Sequence, residues 1–137
     1  MLNKVEIDFN NDDIVKEMLK KASEAKLSAY VKYSGLPVEV SILTKDGNIS
    51  TGFNIEHSSY SLAVCAEKAA IIALLIQGYN PSDISKILIL GDTDTHISPC
   101  GACREFISEF SSNNVEILLA SKSEKIIKTS IDDLLPN

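Results

Sequence analysis

The sequence predicts an α/β fold, a three-layer α/β/α sandwich with a mixed central sheet. Segments with apolar residues at helical spacing alternate with short strand-like runs along the 137 residues. One of these runs, Ile87–Leu90, is continuously apolar, as expected for a strand that is covered on both faces. The elements follow the order helix, two hairpin strands, helix, strand, helix, two strands and helix, which indicates a sheet with helices on both faces.

The length of the chain fits a single domain of residues 1–137, in which residues 1–10 form an extension before the first helix. Apolar residues recur at helical spacing from about Asp12 to Ser28 and predict the first helix there. Asn11 is positioned to cap this helix, because its side chain can accept a hydrogen bond from a free backbone N–H group.

A hairpin and a buried helix follow. Val38 to Thr44 is predicted to be a strand, and the turn residues 45–48 join it to a return strand that runs to about Ile55. The stretch from Cys65 to Gln77 is apolar nearly all round, which predicts a helix enclosed on most sides. Gly78 is suited to end that helix.

The second half of the chain continues the alternation. After the strand at residues 87–90, the predicted elements are a helix at about 103–110, a strand at 115–120, a strand around 126–127 and a short last helix. Ser130, with Asp133 three residues later, resembles a capping box for that helix, which is expected to end at Pro136.

Composition and charge exclude several classes of protein. With 45% hydrophobic and 23% charged residues, the chain can bury a core and does not have the composition of a disordered protein. The net charge of −6 would repel nucleic acid. No apolar run is long enough to span a membrane, and residues 1–13 are acidic without an apolar stretch of signal-peptide length, so a cytoplasmic location is expected.

The chain has three cysteines, Cys65, Cys100 and Cys103, an odd number that disfavours a framework of disulfides. Cys100 and Cys103 form a Cys-x-x-Cys pair at a helix start, so that two thiolates can converge on one ion. Cys65, at the start of the buried helix, can supply a third thiolate. Two helix N-termini facing the same point would favour deprotonated thiolates through their partial positive charge. The pattern predicts a Zn2+ site.

Three protein ligands leave the fourth tetrahedral position of a zinc ion open, which is the arrangement of catalytic sites. Glu67, two residues after Cys65, is placed to reach a water molecule there and to transfer its proton. Three thiolates and Zn2+ leave an excess of negative charge, which opposes acidification of that water. We therefore expect Lys68, Arg104 or both to hydrogen-bond to the thiolates and reduce this excess.

A structural zinc site with three cysteines and one histidine is the alternative. Of the two histidines, His96 precedes Cys100 by four residues and is a better candidate for the fourth ligand than His57. The joined pattern of Cys-Ala-Glu with Pro-Cys-x-x-Cys favours the catalytic arrangement.

These residues resemble the cytidine deaminase family, in its small form with a three-cysteine zinc site. The resemblance extends from the first helix to residues 134–136. Its matching stretches are Ala29-Tyr30 with Tyr33-Ser34, residues 43–47, Gly52 with Asn54-Ile55-Glu56, Tyr60, Cys65-Ala66-Glu67 and residues 98–104. The resemblance implies a cytidine deaminase-like sandwich that hydrolyses cytidine or deoxycytidine to uridine or deoxyuridine and ammonia.

The resemblance also implies roles for individual residues. Glu67 would protonate the ring nitrogen beside the reacting carbon and then the departing amino group. Asn54 and Glu56 would hydrogen-bond to the ribose. Because these two residues are two positions apart on a predicted strand, their side chains are expected on one face, with Ile55 pointing into the core.

Further contacts follow from the same resemblance. Backbone groups at Ala66 and near Pro99 would contact the base, and Leu36 stands where the family has a stacking aromatic residue. Family members of this size are usually homotetramers with shared active sites, and Tyr60 resembles the residue that approaches a neighbouring subunit's site.

The chain departs from the family pattern at several positions. Glu39 stands where a small residue is usual and is expected either to face solvent or to alter the pocket. His57 replaces a usual asparagine and is interpreted as a loop residue. Lys68 replaces a usual arginine and, as a point donor, cannot fork to two sulfurs. The chain stops at Asn137, where related chains continue into an aromatic tail, which suggests a more open pocket.

Two other functions are compatible with these features. The first is deamination of another aminopyrimidine nucleoside, such as blasticidin S, which the residues at Leu36 and Lys68 make credible. The second is a non-catalytic protein that zinc stabilises, in which a fourth protein ligand occupies the remaining coordination position of the ion and Glu67 has no function.

Overall fold

The computed structural model of the protein describes residues 5–8, 12–112, 114–123 and 125–135. The strands in this part of the chain are β1 (Val5–Asp8), β2 (Val38–Thr44), β3 (Ile49–Phe53), β4 (Ile84–Gly91), β5 (Glu116–Ala120) and β6 (Lys125–Thr129). The helices are α1 (Asp13–Ala25), α2 (Ala66–Ile76), α3 (Gly101–Phe110) and α4 (Ile131–Leu134). From α1 onward, the order of the elements is the order predicted from the sequence.

The strands form one sheet in the order β1-β6-β5-β4-β2-β3. β4 and β5 run parallel, whereas the other neighbouring pairs are antiparallel. The predicted mixed sheet is therefore confirmed. A parallel pair needs a crossover connection, and the segment that contains α3 provides it between β4 and β5.

The N-terminal segment differs from the prediction. Residues 5–8, assigned from the sequence to an extension, pair with β6 as an edge strand in which Val5 lies opposite Lys128. A strand of four residues offers too few alternating positions to be recognised. Asn11, the predicted cap of α1, lies outside the described residues. Asp12 caps the helix instead, because its carboxylate accepts hydrogen bonds from the N–H groups of Ile14 and Val15 at 3.0 and 3.1 Å.

Helices cover both faces of the sheet, as predicted. On one face, α1 packs Val15, Met18 and Ala22 against side chains of the sheet such as Leu88 and Leu118. On the other face, α2, α3 and α4 pack against the alternate side chains of the same strands. β4 therefore has apolar neighbours on both sides. Ser130 caps α4 as predicted, with the Asp133 N–H 3.3 Å from its hydroxyl oxygen, whereas Pro136 lies outside the described residues.

Helix α2 is less enclosed than its composition predicts. Its inward face is formed by Ala66, Ala70, Ile71 and Leu74. On its outer face Ile72, Leu75 and Ile76 are 43%, 38% and 80% exposed in the single chain. The prediction of a helix buried on most sides is thus wrong for one chain. Even this apolar helix is too short to cross a membrane, and no other helix among the described residues is suited to do so.

Close contact between α2 and β3 fixes the height of the helix above the sheet. A Cβ atom on Gly52 would lie 2.3 Å from the backbone nitrogen of Ala70, so only glycine fits this point of β3. Gly78 follows the helix with a φ of 93°, in the left-handed region that ends helices. Gly52 thus sets the distance of α2 from the sheet, and Gly78 sets the end of the helix. Together they determine the position of Cys65 at the start of α2.

Glu39 is buried on the α1 side of the sheet, with 1% of its surface exposed. Its neighbour Val40 packs on the opposite side, against the α2 and α3 layer. The expectation that Glu39 faces solvent is therefore wrong, and its side chain points away from the face that carries the cysteines. Burial raises its pKa to about 7, although the charge of Lys26 partly opposes this shift.

Candidate active site

The three cysteines meet where two helices begin. Cys65 is the N-cap residue of α2, Cys100 is the N-cap residue of α3, and Cys103 lies in the first turn of α3. Their sulfur atoms all lie within 4.8 Å of one another. Both N-cap residues have an extended backbone, and each of these helix starts brings a sulfur to the same point.

The geometry and chemistry of this cluster fit a zinc ion. Four ligands at about 2.3 Å around tetrahedral zinc lie about 3.8 Å apart, so the sulfurs need only a small adjustment to share one ion. Among the described residues, no histidine or carboxylate completes the cluster. The ring of His96 lies 2.7 Å from the carbonyl oxygen of Lys125, that of His57 accepts a hydrogen bond from the Ser59 N–H, and neither ring is part of the cysteine cluster.

The thiols are also arranged to lose protons to a metal. A hydrogen bond from the Cys103 thiol lowers the pKa of Cys65 to about 7, and the charge of Lys68 acts in the same direction. The same hydrogen bond, together with burial, raises the pKa of Cys103. One thiolate is therefore accessible near neutral pH, and a divalent cation would displace the proton that the two sulfurs share.

Glu67 lies in the first turn of α2 with 6% of its surface exposed. It lines a cavity of about 190 Å³ together with Val38, Cys65, Ala66, Ile97, Ser98, Pro99, Cys100 and Cys103. Glu67 is the only carboxylate in that lining. The cavity thus places one buried carboxylate beside the three sulfurs, an arrangement that can move protons at the open side of a bound ion.

Val38, Ile97 and Ser98 line the cavity but are not among the site residues predicted from the sequence. Ser98 belongs to the motif that contains Cys100, whereas Val38 and Ile97 are ordinary apolar residues that only their position beside Pro37 and Ser98 could have suggested. Gly91 makes room for Ile97, since a Cβ atom there would lie 2.3 Å from the Ile97 side chain. These two side chains give the cavity an apolar wall.

The structure places Lys68 and Arg104 differently from the sequence-based expectation. The Lys68 ammonium lies 5.5 Å from the centre of the Phe106 ring and acts on Cys65 through its charge. The side chain of Arg104 donates to the Pro99 carbonyl, the Ser98 hydroxyl and the Leu134 carbonyl. No hydrogen bond among the described residues joins either side chain to a sulfur, which differs from the expected role.

Asn54 and Glu56 follow β3 and hold the segment that leads into β2. The Asn54 side chain accepts from the Val38 N–H at 3.0 Å and donates to the Leu36 carbonyl at 3.1 Å. One oxygen of Glu56 accepts from the N–H groups of two residues, Tyr33 at 2.9 Å and Ser34 at 3.0 Å.

The Glu56 contacts also set its protonation. Hydrogen bonds from the Ser34 side chain and backbone are the largest cause of a lowered pKa of Glu56, so its carboxyl group is ionised. Ile55, between the two polar residues, is 42% exposed. The expectation that Ile55 points into the core is therefore wrong, because β3 ends at Phe53 and this segment forms only isolated bridges.

Some predicted site residues reach the cavity of a single chain and others do not. Ala66 and Pro99 line it. Leu36 lies in the segment that Asn54 holds and is not part of the lining. Tyr60 lies in a one-turn 3₁₀ helix, Tyr60–Leu62, and is 94% exposed.

Comparisons with known proteins agree with this geometry. The family model described as "Cytidine and deoxycytidylate deaminase zinc-binding region" matches residues 13–119. A cytidine deaminase of Sporosarcina psychrophila is 35% identical over 122 residues, which cover 89% of this chain and 88% of that protein. Blasticidin-S deaminase of Bacillus cereus is 30% identical over 136 residues, covering 93% and 94%.

A solved structure supports the same relationship. The crystal structure of cytidine deaminase from Burkholderia pseudomallei superposes with a TM-score of 0.84 at 35% identity, covering 89% of this chain and 96% of that one. The chain thus combines a cysteine cluster and a buried glutamate in an α/β/α sandwich with similarity to cytidine deaminases along most of its length. The chain belongs to the cytidine and deoxycytidylate deaminase zinc-binding family.

Proposed function

We propose that this protein is a zinc-dependent hydrolase that converts cytidine and deoxycytidine to uridine and deoxyuridine with release of ammonia. The observation that carries the proposal is the position of Glu67 in the same small cavity as the three cysteine sulfurs. Relatives at 35% and 34% identity that are named cytidine deaminase support it.

Cys65, Cys100 and Cys103 would hold the zinc ion. Bound there, zinc supplies a Lewis acid that lowers the pKa of water to about 7. Glu67 accepts a proton from the attacking water and passes it to the pyrimidine ring nitrogen beside the amino-bearing carbon. It then delivers the second proton to the amino group as the carbon–nitrogen bond breaks. One water is consumed and one ammonia leaves, so the same carboxylate acts first as base and then as acid.

The size of the cavity suggests which part of the substrate it holds. A volume of about 190 Å³ is smaller than typical small-molecule sites, which measure roughly 300–1,000 Å³. We therefore assign the cavity to the pyrimidine base, between the apolar wall of Val38 and Ile97 and the backbone at Ala66 and Pro99. The sugar would lie outside it, where the second oxygen of Glu56 and the remaining N–H of Asn54 can bind hydroxyl groups.

We further propose a homotetramer with shared active sites. The outer face of α2 leaves Ile72, Leu75 and Ile76 exposed, and Tyr60 and Leu62 are 94% and 62% exposed. An exposed apolar helix face such as that of α2 is typical of a surface that another chain covers. In the tetramer, Tyr60 of one subunit would lie near the mouth of the cavity of a neighbouring subunit. Within a single chain, Tyr60 does not line the cavity.

The cysteines also bear on the cellular location. All three are free of disulfides, and they must remain reduced to bind zinc. A reducing compartment such as the cytoplasm fits this requirement, and pyrimidine salvage is the role we propose there. The net charge of −6 speaks against nucleic acid as the substrate.

Blasticidin S is the alternative substrate. Blasticidin-S deaminase is similar over 136 residues at 30% identity, below the 35% and 34% of the two cytidine deaminases, so cytidine is the favoured substrate. A third possibility, a zinc-stabilised protein without catalysis, requires a protein atom at the fourth metal position, and the described residues provide none within the cluster.

An ultraviolet deamination assay on cytidine, deoxycytidine and blasticidin S tests the proposal, with Glu67→Gln as the variant and measured zinc content as the control. We expect turnover of the two simple nucleosides, and at least a roughly 100-fold loss in the variant with zinc retained. Turnover of blasticidin S alone would favour the alternative substrate. Equal rates of ammonia release by both proteins would refute the role of Glu67.

A further inference from the structure

Arg104 is the single arginine among the 13 Lys and Arg residues of the chain. It follows Cys103 directly on α3 and is half-buried. Every other cationic position is a lysine, which carries one flexible point charge. The presence of the one planar guanidinium beside the cysteine cluster suggests that its shape, and not only its charge, is used there.

Three different acceptors surround the guanidinium. Its Nε donates to the carbonyl of Pro99 at 2.8 Å, and one terminal nitrogen donates to the hydroxyl of Ser98 at 2.8 Å. The other terminal nitrogen donates to the carbonyl of Leu134 at 2.7 Å. A lysine has a compact ammonium group in place of the planar guanidinium, so it could not donate to all three acceptors at once.

Two of these acceptors belong to the wall of the cavity. Ser98 and Pro99 line it, and the next residue is Cys100, whose sulfur belongs to the cluster. Pro99 is buried and has no N–H group of its own. Hydrogen bonds to its carbonyl and to the Ser98 hydroxyl therefore define the path of the chain immediately before the Cys100 sulfur.

The third acceptor belongs to the last helix. Leu134 is the final residue of α4, and its carbonyl is one of those that a helix end leaves without an intrahelical partner. Arg104 satisfies it and so joins α4 to residues 98–100. The apolar side chains Ile131 and Leu134 of α4 pack in the core with Ile107 of α3. The hydrogen bond of Arg104 adds a polar connection between α4 and the segment before Cys100.

We propose that Arg104 is a positioning residue that holds the Ser98–Cys100 segment against α4 and thereby fixes the Cys100 sulfur for zinc. It acts on the site through the backbone of this segment, without a hydrogen bond to the sulfurs. The proposal rests on the zinc site of the proposed function, but it does not depend on which nucleoside is the substrate.

The rate of zinc release to a colorimetric chelator tests this inference. Arg104→Met removes the fork and the charge, whereas Arg104→Lys removes the fork alone. Lys20→Met, on the exposed surface of α1 across the sheet, is the control for the loss of one positive charge. We expect both Arg104 variants to release zinc at least about tenfold faster, as is common when groups that orient metal ligands are lost. The control should behave as the wild type.

Two results would overturn the proposal. Zinc release by Arg104→Lys at the wild-type rate would mean that charge alone matters, and an unchanged rate in Arg104→Met would mean that the contacts have no effect on the site. If Arg104→Met does not fold, Ser98→Ala replaces it, since it removes one acceptor and keeps the arginine. We then expect a several-fold faster release, and an unchanged rate would count against the proposal.

A double-mutant cycle tests the connection to α4. Ser130→Ala removes the cap of α4, in which the Ser130 hydroxyl contacts the backbone and side chain of Asp133. We expect it to accelerate zinc release in the wild type but to add little in Arg104→Met, because the connection is already lost. Additive effects of the two substitutions would show that α4 acts independently of Arg104. Because zinc release is measured without substrate, these outcomes can be distinguished from a failure of the proposed deaminase activity.

Discussion

The sulfur atoms of Cys65 and Cys100, which lie 35 positions apart in the sequence at the N-caps of two different helices, come within 4.8 Å of each other. α2 and α3 lie on the same face of the sheet, and both begin at the edge of one cavity. The metal site is therefore a property of how two helices are placed on the sheet, and its integrity depends on contacts that hold those helices.

Cysteine substitution should remove the metal. Cys100→Ala leaves two sulfurs, and we expect the zinc content to fall from about one per chain to almost none, with complete loss of deamination. Atomic absorption on purified protein measures this. Gly101→Ala is the control at the neighbouring position, since a Cβ atom there meets nothing within 4 Å. Full zinc occupancy in Cys100→Ala would contradict the assigned ligand set.

Gly52→Ala should lift α2 from β3. The added methyl group would lie 2.3 Å from the Ala70 backbone nitrogen, and backbone cannot move aside as a side chain can. We expect the free energy of unfolding to fall by about 1–3 kcal/mol, measured by urea denaturation. Zinc release should also accelerate because Cys65 moves with the helix. A variant as stable as the wild type would show that the contact is not as tight as described.

Glu39 should make stability depend on pH. Its pKa of about 7 in the folded protein lies above the ordinary value of 4.5, so the folded state binds this proton more tightly than the unfolded state. Its contribution to stability is present at low pH and is lost as pH rises from about 4.5 to 7. One carboxylate oxygen also has no hydrogen-bond partner among the described residues.

Glu39→Gln tests this dependence because it keeps the shape and cannot ionise. We expect the variant to match the wild type near pH 5 and to exceed it by about 1–3 kcal/mol at pH 8, in thermal or urea unfolding. The difference between the two proteins isolates Glu39 from other titrating groups, including Asp92 and Lys26, whose charges act on it. A constant difference across this pH range would refute the prediction.

Glu56→Ala should loosen the segment before β2. Its carboxylate accepts the N–H groups of Tyr33 and Ser34, and we expect those two amides to exchange with deuterium at least about tenfold faster in the variant. The KM for cytidine should rise more than kcat falls, because the segment and the sugar site would be affected before the chemistry. Glu109→Ala, an exposed carboxylate on α3, is the control. Unchanged exchange at both amides would contradict the role.

Periodicity predicted most of the fold because the buried faces of these elements are long. α1 buries side chains at helical spacing and β4 contains a continuous apolar run, and both patterns are visible in the sequence. β1 was missed because it has only four residues and its stability comes from pairing with β6. The enclosure of α2 was overestimated because the composition of a helix does not show which of its faces packs on the sheet.

The site was predictable where chemistry needs particular side chains. Thiolates are strong zinc ligands and a nearby carboxylate can move protons, so the pattern of Cys65, Glu67 and the Cys-x-x-Cys pair predicts the zinc site. The contacts of Arg104 could not be predicted, because two of its acceptors are backbone carbonyls that any residue can supply. The prediction for Ile55 is wrong because it extends the alternation of inward and outward side chains past Phe53, where β3 ends.

X-ray absorption at the zinc edge, on protein without a histidine tag, tests the central claim most directly. We predict three sulfur atoms at about 2.3 Å from zinc and one light atom at about 2.0 Å, with no scattering from an imidazole ring. This result would describe an ion held by three cysteines with one position open to water beside Glu67. Four sulfur ligands, or an imidazole in the fourth position, would contradict the account.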